Sequence, residues 1–122
     1  MNGRPVPRVV EFSTGIAAAY CGKLLADAGA EVTVVEPPGG HPLRHRSPVP
    51  GASAGALHSF LSGPKNICTT GPADPGTADL IDRADVVIRD ERSGPSGPGR
   101  DGLVQVSFSP FGMDGPWRDR PR

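Results

Sequence analysis

The stretch from Arg8 to Gly40, RVVEFSTGIAAAYCGKLLADAGAEVTVVEPPGG, constrains the fold more than any other part of the chain. Two short β-branched apolar runs, Arg8–Phe12 and Glu31–Val35, flank a segment with helical spacing. Runs this short, β-branched and apolar suit buried strands of a parallel sheet. Ser13 and Thr14 stand as N-cap candidates, because their side-chain oxygens can accept the free N–H groups of a helix's first turn. Ile16, Tyr20, Leu24 and Ala28 recur every four residues beside Ala17, Cys21 and Leu25, which predicts a helix over 16–28. Its apolar stripe is expected to face the core, with Lys23 and Asp27 on the other side. Gly29 follows where a helix end needs a left-handed residue, and Glu36 stands at the end of the second strand. Parallel strands joined by a helical crossover make a βαβ unit, the building block of nucleotide- and coenzyme-binding sheets.

Beyond Glu36 the elements shorten. Residues 37–56 are a proline-rich loop holding Arg44-His45-Arg46, and Ala56–Leu61 suits a short helix. Asn66–Thr70, Asp85–Arg89 and Leu103–Ser109 read as three further strands. Asp74-Pro75 opens a helix to about Arg83, as N-cap and first-turn proline. Residues 91–102 form a Gly/Pro-broken loop and 110–122 a loop-like tail. The fold class is therefore α/β, Rossmann-like, with a mostly parallel sheet of about five strands and few helices. Residues 1–122 are expected to form a single domain. If strands four and five are parallel neighbours, the dozen residues between them are near the lower limit for such a crossover.

Thirteen basic and thirteen acidic residues cancel, which argues against a charge-driven nucleic-acid or membrane partner. No apolar run approaches the roughly 20 residues of a membrane span, and Met1–Arg8 lacks the apolar core of a signal peptide. Cys21 and Cys68 are expected to sit reduced in the core of a cytoplasmic protein. His41, His45 and His58 with Cys68 lack metal-ligand spacing, so no metal site is expected.

Several segments together resemble the class III coenzyme A transferases, a family that includes the α-methylacyl-CoA racemases. VVEFSTGIAAAYCGKLLADAGAEVTVVEPPGGHPLR is similar to that family's opening segment, whose helix ends "LADLGAEV" before an acid and "PPGGDPLR". Gly63-Pro64-Lys65-Asn66 occupies the place of the family's Gly-Lys-Arg-Ser, and Ala84–Ile88 matches the strand before its Glu-Asn-Phe motif. Leu103–Pro121, LVQVSFSPFGMDGPWRDRP, is similar to "LIYVSISGFGQTGPYADRP". The blocks fall in the family's order over nearly the whole chain.

The resemblance implies a Rossmann-like domain with CoA across the carboxyl ends of its strands, a second smaller domain, and an intertwined homodimer. It implies an aspartate nucleophile in the transferases and a His/Asp proton-transfer pair in the racemases. In the family these groups follow the "DRP" segment, so no catalytic residue is expected among these 122, and Asp101, Asp114 and Asp119 are not equivalents. Coenzyme contacts carried over by resemblance fall on Gly15, Ile16, Ala17, Arg44, Lys65, Phe111 and Gly112. Two positions depart from the pattern: Pro37 replaces a basic residue after the second strand, and Asp90-Glu91 replaces Asn-Phe. Carboxylates there would repel a phosphorylated coenzyme.

Acyl-CoA or CoA is thus the expected substrate, with no covalently bound cofactor. The chain is expected to be inactive alone and to work as a homodimer or with a complementing chain. Two other functions remain open: a non-catalytic interaction module on the same scaffold, and a small NAD- or nucleotide-binding domain in which Glu36 takes a ribose hydroxyl. The latter lacks a G-x-G-x-x-G turn, since the sequence reads STGIAAA. Tyr20 and Trp117 are expected to pack, and Arg118, Arg120 and Arg122 to lie in a solvated tail.

Overall fold

The structure, a computed structural model, describes residues 5–45, 55–69, 74–90, 100–110 and 115–117. Five strands and three helices follow in the order β1 (Arg8–Phe12), α1 (Ile16–Asp27), β2 (Glu31–Val35), α2 (Ala56–Ser62), β3 (Asn66–Cys68), α3 (Pro75–Asp82), β4 (Val86–Asp90) and β5 (Val104–Phe108). A 3-10 turn over Pro42–His45 precedes α2. All strand pairs are parallel, in the order β3-β2-β1-β4-β5. The chain moves outward from β1 to β3 on one side, then crosses back and continues through β4 and β5 on the other. The strand order therefore reverses between β1 and β4, which is where open α/β sheets hold their ligands.

The period-two alternation of β1 sends Val9 and Glu11 to one face and Val10 and Phe12 to the other. Val9 packs with Val32, Ile88 and Ala18 under α1. Val10 and Phe12 pack with Val35, Val87 and Ala84, against Leu80 and Ile81 of α3. Ala19, Leu43 and Leu61 join α1 to the 3-10 turn and α2. Asp74 caps α3 by accepting the Gly76 N–H at 2.7 Å, as its Asp-Pro start predicts. Gly29 has φ +108° just past the end of α1, the left-handed conformation foreseen there.

Helix α1 departs from the sequence expectation in two ways. Neither Ser13 nor Thr14 caps it; Gly15 is the N-cap and no side chain serves. The buried face is also not the Ile16–Tyr20–Leu24 stripe, which is 41%, 45% and 50% exposed. Ala18, Ala19 and Gly22 face the sheet instead. The reason lies in β1. Glu11 points from the strand toward α1, and an ideal Cβ on Gly22 would sit 1.9 Å from Glu11 Oε1. Only a helix face of the smallest residues leaves room for that carboxylate, so Ile16, Tyr20 and Leu24 turn outward while Cys21 and Leu25 pack at its side against the core. Tyr20 and Trp117, expected to pack, are 45% and 53% exposed.

Strand boundaries shift by a residue or two. β4 runs to Asp90 and β5 spans Val104–Phe108, while β3 is only Asn66–Cys68. β4 and β5 are parallel neighbours despite their short connection. Cys21 and Cys68 are each half-buried and neither forms a disulfide.

Gly22→Ala tests the close approach of α1. On an exposed helix that change stabilises by up to about 1 kcal/mol. Here the added methyl must displace Glu11 from its buried ion pair, and a loss of about 3 kcal/mol is expected. Urea unfolding measures it, and a neutral or stabilising result would show that α1 does not ride this close to β1.

Candidate functional site

At the strand-order reversal, the turn after β1 meets the end of β4. The Thr14 N–H donates to Asp90 Oδ1 and Oδ2 at 3.1 and 2.9 Å, and the Gly15 N–H donates to Oδ2 at 3.0 Å. The Thr14 hydroxyl adds a third donor, 3.1 Å from Oδ1. Asp90 thus holds the turn that starts α1. Beside it opens a cleft of about 260 Å³, walled by Gly15–Ala18 of α1, Asp90, and Phe108–Pro110 at the end of β5. The first-turn N–H groups of Ile16, Ala17 and Ala18 have no acceptor earlier in the helix, so the cleft combines an aromatic wall, backbone donors and one carboxylate.

Beneath that turn lies a buried polar chain. Lys65 Nζ pairs with Glu11 Oε1 at 2.7 Å, with side chains 0% and 1% exposed. Lys65 also donates to the Ala19 carbonyl of α1 at 2.8 Å. The Ser13 hydroxyl donates to Glu11 Oε2 at 2.6 Å and lies 2.8 Å from His41 Nε2. The Leu43 N–H donates to His41 Nδ1, which makes Nδ1 an acceptor and leaves the proton of a neutral ring on Nε2, facing Ser13. The order of donation is therefore His41 to Ser13 to Glu11. Ser13 donates its hydrogen bond to Glu11 and accepts one from His41, so the imidazole is not placed to take the Ser13 proton as a histidine base would.

A second cluster closes the end of β2. Glu36 is buried, and its Oε1 accepts from Arg44 Nε at 2.9 Å with Arg44 Nη2 at 2.8 Å. His58 Nε2 of α2 lies 3.3 Å from the same oxygen. Burial, then the Arg44 charge, pushes the His58 pKa down from its ordinary 6.5 against the pull of Glu36. Burial, then the neighbouring His58, does the same to His41. Burial pushes Glu11 up from its ordinary 4.5, opposed chiefly by Lys65.

The residues singled out from sequence are thus dispersed. Gly15, Ile16 and Ala17 line the cleft. Arg44 lies at the rim of the sheet, engaged with Glu36. Lys65 is turned inward, with its ammonium fully buried. Phe111 and Gly112 lie outside the described residues, as do Arg46, Glu91, Asp114 and Arg118–Arg122. Glu36 is neither solvated nor open to a ribose. Asp90 was legible only as a departure from a family pattern, and its hold on the turn was not. Among the described residues, no group of His, Cys, Asp and Glu is placed to hold a metal ion.

The chain is similar to known proteins over nearly all of its length. Residues 7–96 match the family model described as CoA-transferase family III. A succinyl-CoA–D-citramalate CoA-transferase from Chloroflexus aurantiacus is 34% identical over 93% of this chain and 32% of its own length. A probable fatty acyl-CoA transferase from Mycobacterium tuberculosis is 33% identical over 93% of this chain and 33% of its own. Among solved structures, a CAIB/BAIF family protein from Brucella suis superposes with a TM-score of 0.74 at 25% identity, covering 93% of this chain and 35% of that one. The chain spans about a third of the length of these relatives.

Acid should weaken the fold through the two histidines. Their pKa values are lowered on folding, so their contribution is complete above the ordinary 6.5 and is lost as pH falls below it. Glu11, raised on folding, acts in the opposite sense as pH falls toward 4.5. His58→Gln leaves the Glu11 contribution in place and removes one histidine. Its urea midpoint should fall less than the parent's between pH 6.5 and 5, and superimposable profiles would refute a neutral buried His58.

Proposed function

The chain belongs to CoA-transferase family III, and on that premise we propose that it supplies the sheet on which a CoA thioester is seated for acyl exchange with a carboxylic acid. The cleft at the strand-order reversal carries this proposal. It lies at the carboxyl ends of β1, β4 and β5, where α/β sheets receive their ligands. Ile16 and Ala17 offer backbone donors to the bound thioester arm, Gly15 lines the cleft with its own N–H held by Asp90, and Arg44 offers charge to the phosphates from the end of β2. Phe111 and Gly112 are kept in the proposed contact set on the family resemblance alone. Lys65 serves the site from beneath by fixing Glu11 and α1.

The proposed role of these 122 residues is binding rather than turnover. The carboxylate in the cleft, Asp90, is engaged by three donors from the turn and is a poor nucleophile in that state. Catalysis is assigned to an aspartate supplied together with a second copy or a complementing chain. The outward stripe of Ile16, Tyr20 and Leu24 offers such a partner an apolar surface. The proposed setting is the cytoplasm. Among the described residues, no helix is long and apolar enough to cross a membrane. NAD binding has no comparable support, because Glu36 is buried against Arg44.

Titration of the chain with CoA and acetyl-CoA at millimolar concentration tests the proposal. Backbone amide NMR signals of Gly15, Ile16 and Ala17 should shift with either compound and stay still with NAD. No shift with either CoA compound, or a response to NAD alone, overturns it.

A further inference from the structure

The cleft beside α1 carries a charge that its position does not require. A helix N-terminus presents roughly half a positive elementary charge and is ordinarily receptive to anions. Here the Asp90 carboxylate takes the Thr14 and Gly15 N–H groups and forms part of the cleft wall. One full negative charge against about half a positive one leaves the wall net negative. Among the described residues, no Arg, Lys or His lines the cleft to reverse that sign. The nearest buried cation, Lys65, is already neutralised by Glu11.

We infer that Asp90 is a specificity-determining residue that makes this cleft a site for an uncharged ligand segment and bars phosphate or carboxylate from the start of α1. The inference rests on the CoA reading above and assigns the cleft to the neutral, amide-bearing arm of the thioester. Secondary amides suit the surroundings on both sides. Their carbonyls can accept from the first turn of α1, and their N–H groups tolerate a neighbouring carboxylate. The Phe108 wall suits the methylene stretches between them. A phosphate in the same place would face Asp90 across a few ångströms of low-dielectric space.

Asp90→Asn separates charge from shape. The amide oxygen can still accept from the turn, and the amide nitrogen can donate to the Thr14 hydroxyl. Two small probes are used with the full chain at fixed ionic strength: pantetheine, which is uncharged, and inorganic pyrophosphate. In the parent chain, pantetheine should shift the amides of Gly15–Ala18 and pyrophosphate should not. In Asp90→Asn, pyrophosphate should bind at least about tenfold more tightly at those amides, with pantetheine affinity changed less than about twofold. Asp90→Ser is a second uncharged replacement should the first fold poorly. Equal pyrophosphate affinity in the parent and both variants overturns the charge filter while leaving the CoA reading intact. Failure of pantetheine, CoA and acetyl-CoA alike to move these amides overturns the CoA reading and this inference with it.

Discussion

The buried contact between Glu11 and Lys65 determines how the other parts of this fold are placed. An isolated buried carboxylate is costly, and leaving a buried pair half-made costs about 3–5 kcal/mol. Lys65 therefore has to be brought under α1 from the turn between α2 and β3, and α1 has to present Gly22 where Glu11 rises from β1. Three separate segments are fixed by one pair. Ser13 then gives its hydroxyl to the other Glu11 oxygen, which ties the first residue after β1 inward and draws His41 and the 3-10 turn onto the same chain. With Ser13 held inward, Thr14 and Gly15 present their N–H groups at the end of β4, and the cleft takes its shape from that turn.

The sheet was the most legible part of the sequence. β-branched runs at Arg8, Glu31, Asp85 and Leu103 mark strands because short stretches rich in valine and isoleucine suit a pleated, buried surface. Asp74-Pro75 marked α3 for an equally local reason, a cap followed by a residue with preset φ. Helix α1 was located correctly and oriented wrongly. Spacing identifies a face, yet it cannot tell a face that packs from one that waits for a partner. The deciding residue was Glu11 on another element, whose carboxylate only a face of Ala and Gly can accommodate. Ser13 misled for a related reason: it suits a helix start, but a buried carboxylate two residues earlier is the stronger claimant.

The site was legible in outline through the turn Gly15–Ala17 and less so through its charged residues. Lys65 and Arg44 read as ligand contacts because they fall on positions that the family resemblance assigns to the coenzyme. Both have carboxylate partners far away in sequence that no local pattern discloses: Lys65 with Glu11, and Arg44 with Glu36. The two differ in consequence. Arg44 keeps a large part of its side chain in solvent, whereas the Lys65 ammonium has none there. A coenzyme phosphate can share Arg44 without dismantling anything, but engaging Lys65 would strand Glu11. Charge available for binding is thus smaller than the sequence suggests, and it lies on the β2 side of the sheet.

That asymmetry bears on how a long, unevenly charged ligand would lie. The end of β2 offers a cation, and the reversal point between β1 and β4 offers a carboxylate with an aromatic wall. A ligand with a phosphate-bearing end and a neutral arm has one favourable direction across such a surface. An asparagine at position 90 could hold the turn nearly as well, with its oxygen serving the N–H groups and its nitrogen serving the Thr14 hydroxyl. What aspartate adds is sign rather than shape. Its effect is therefore felt by the part of the ligand that enters the cleft and hardly at all by the turn. A single charge on a rigid wall can in this way set the direction of binding while leaving the backbone contacts unchanged.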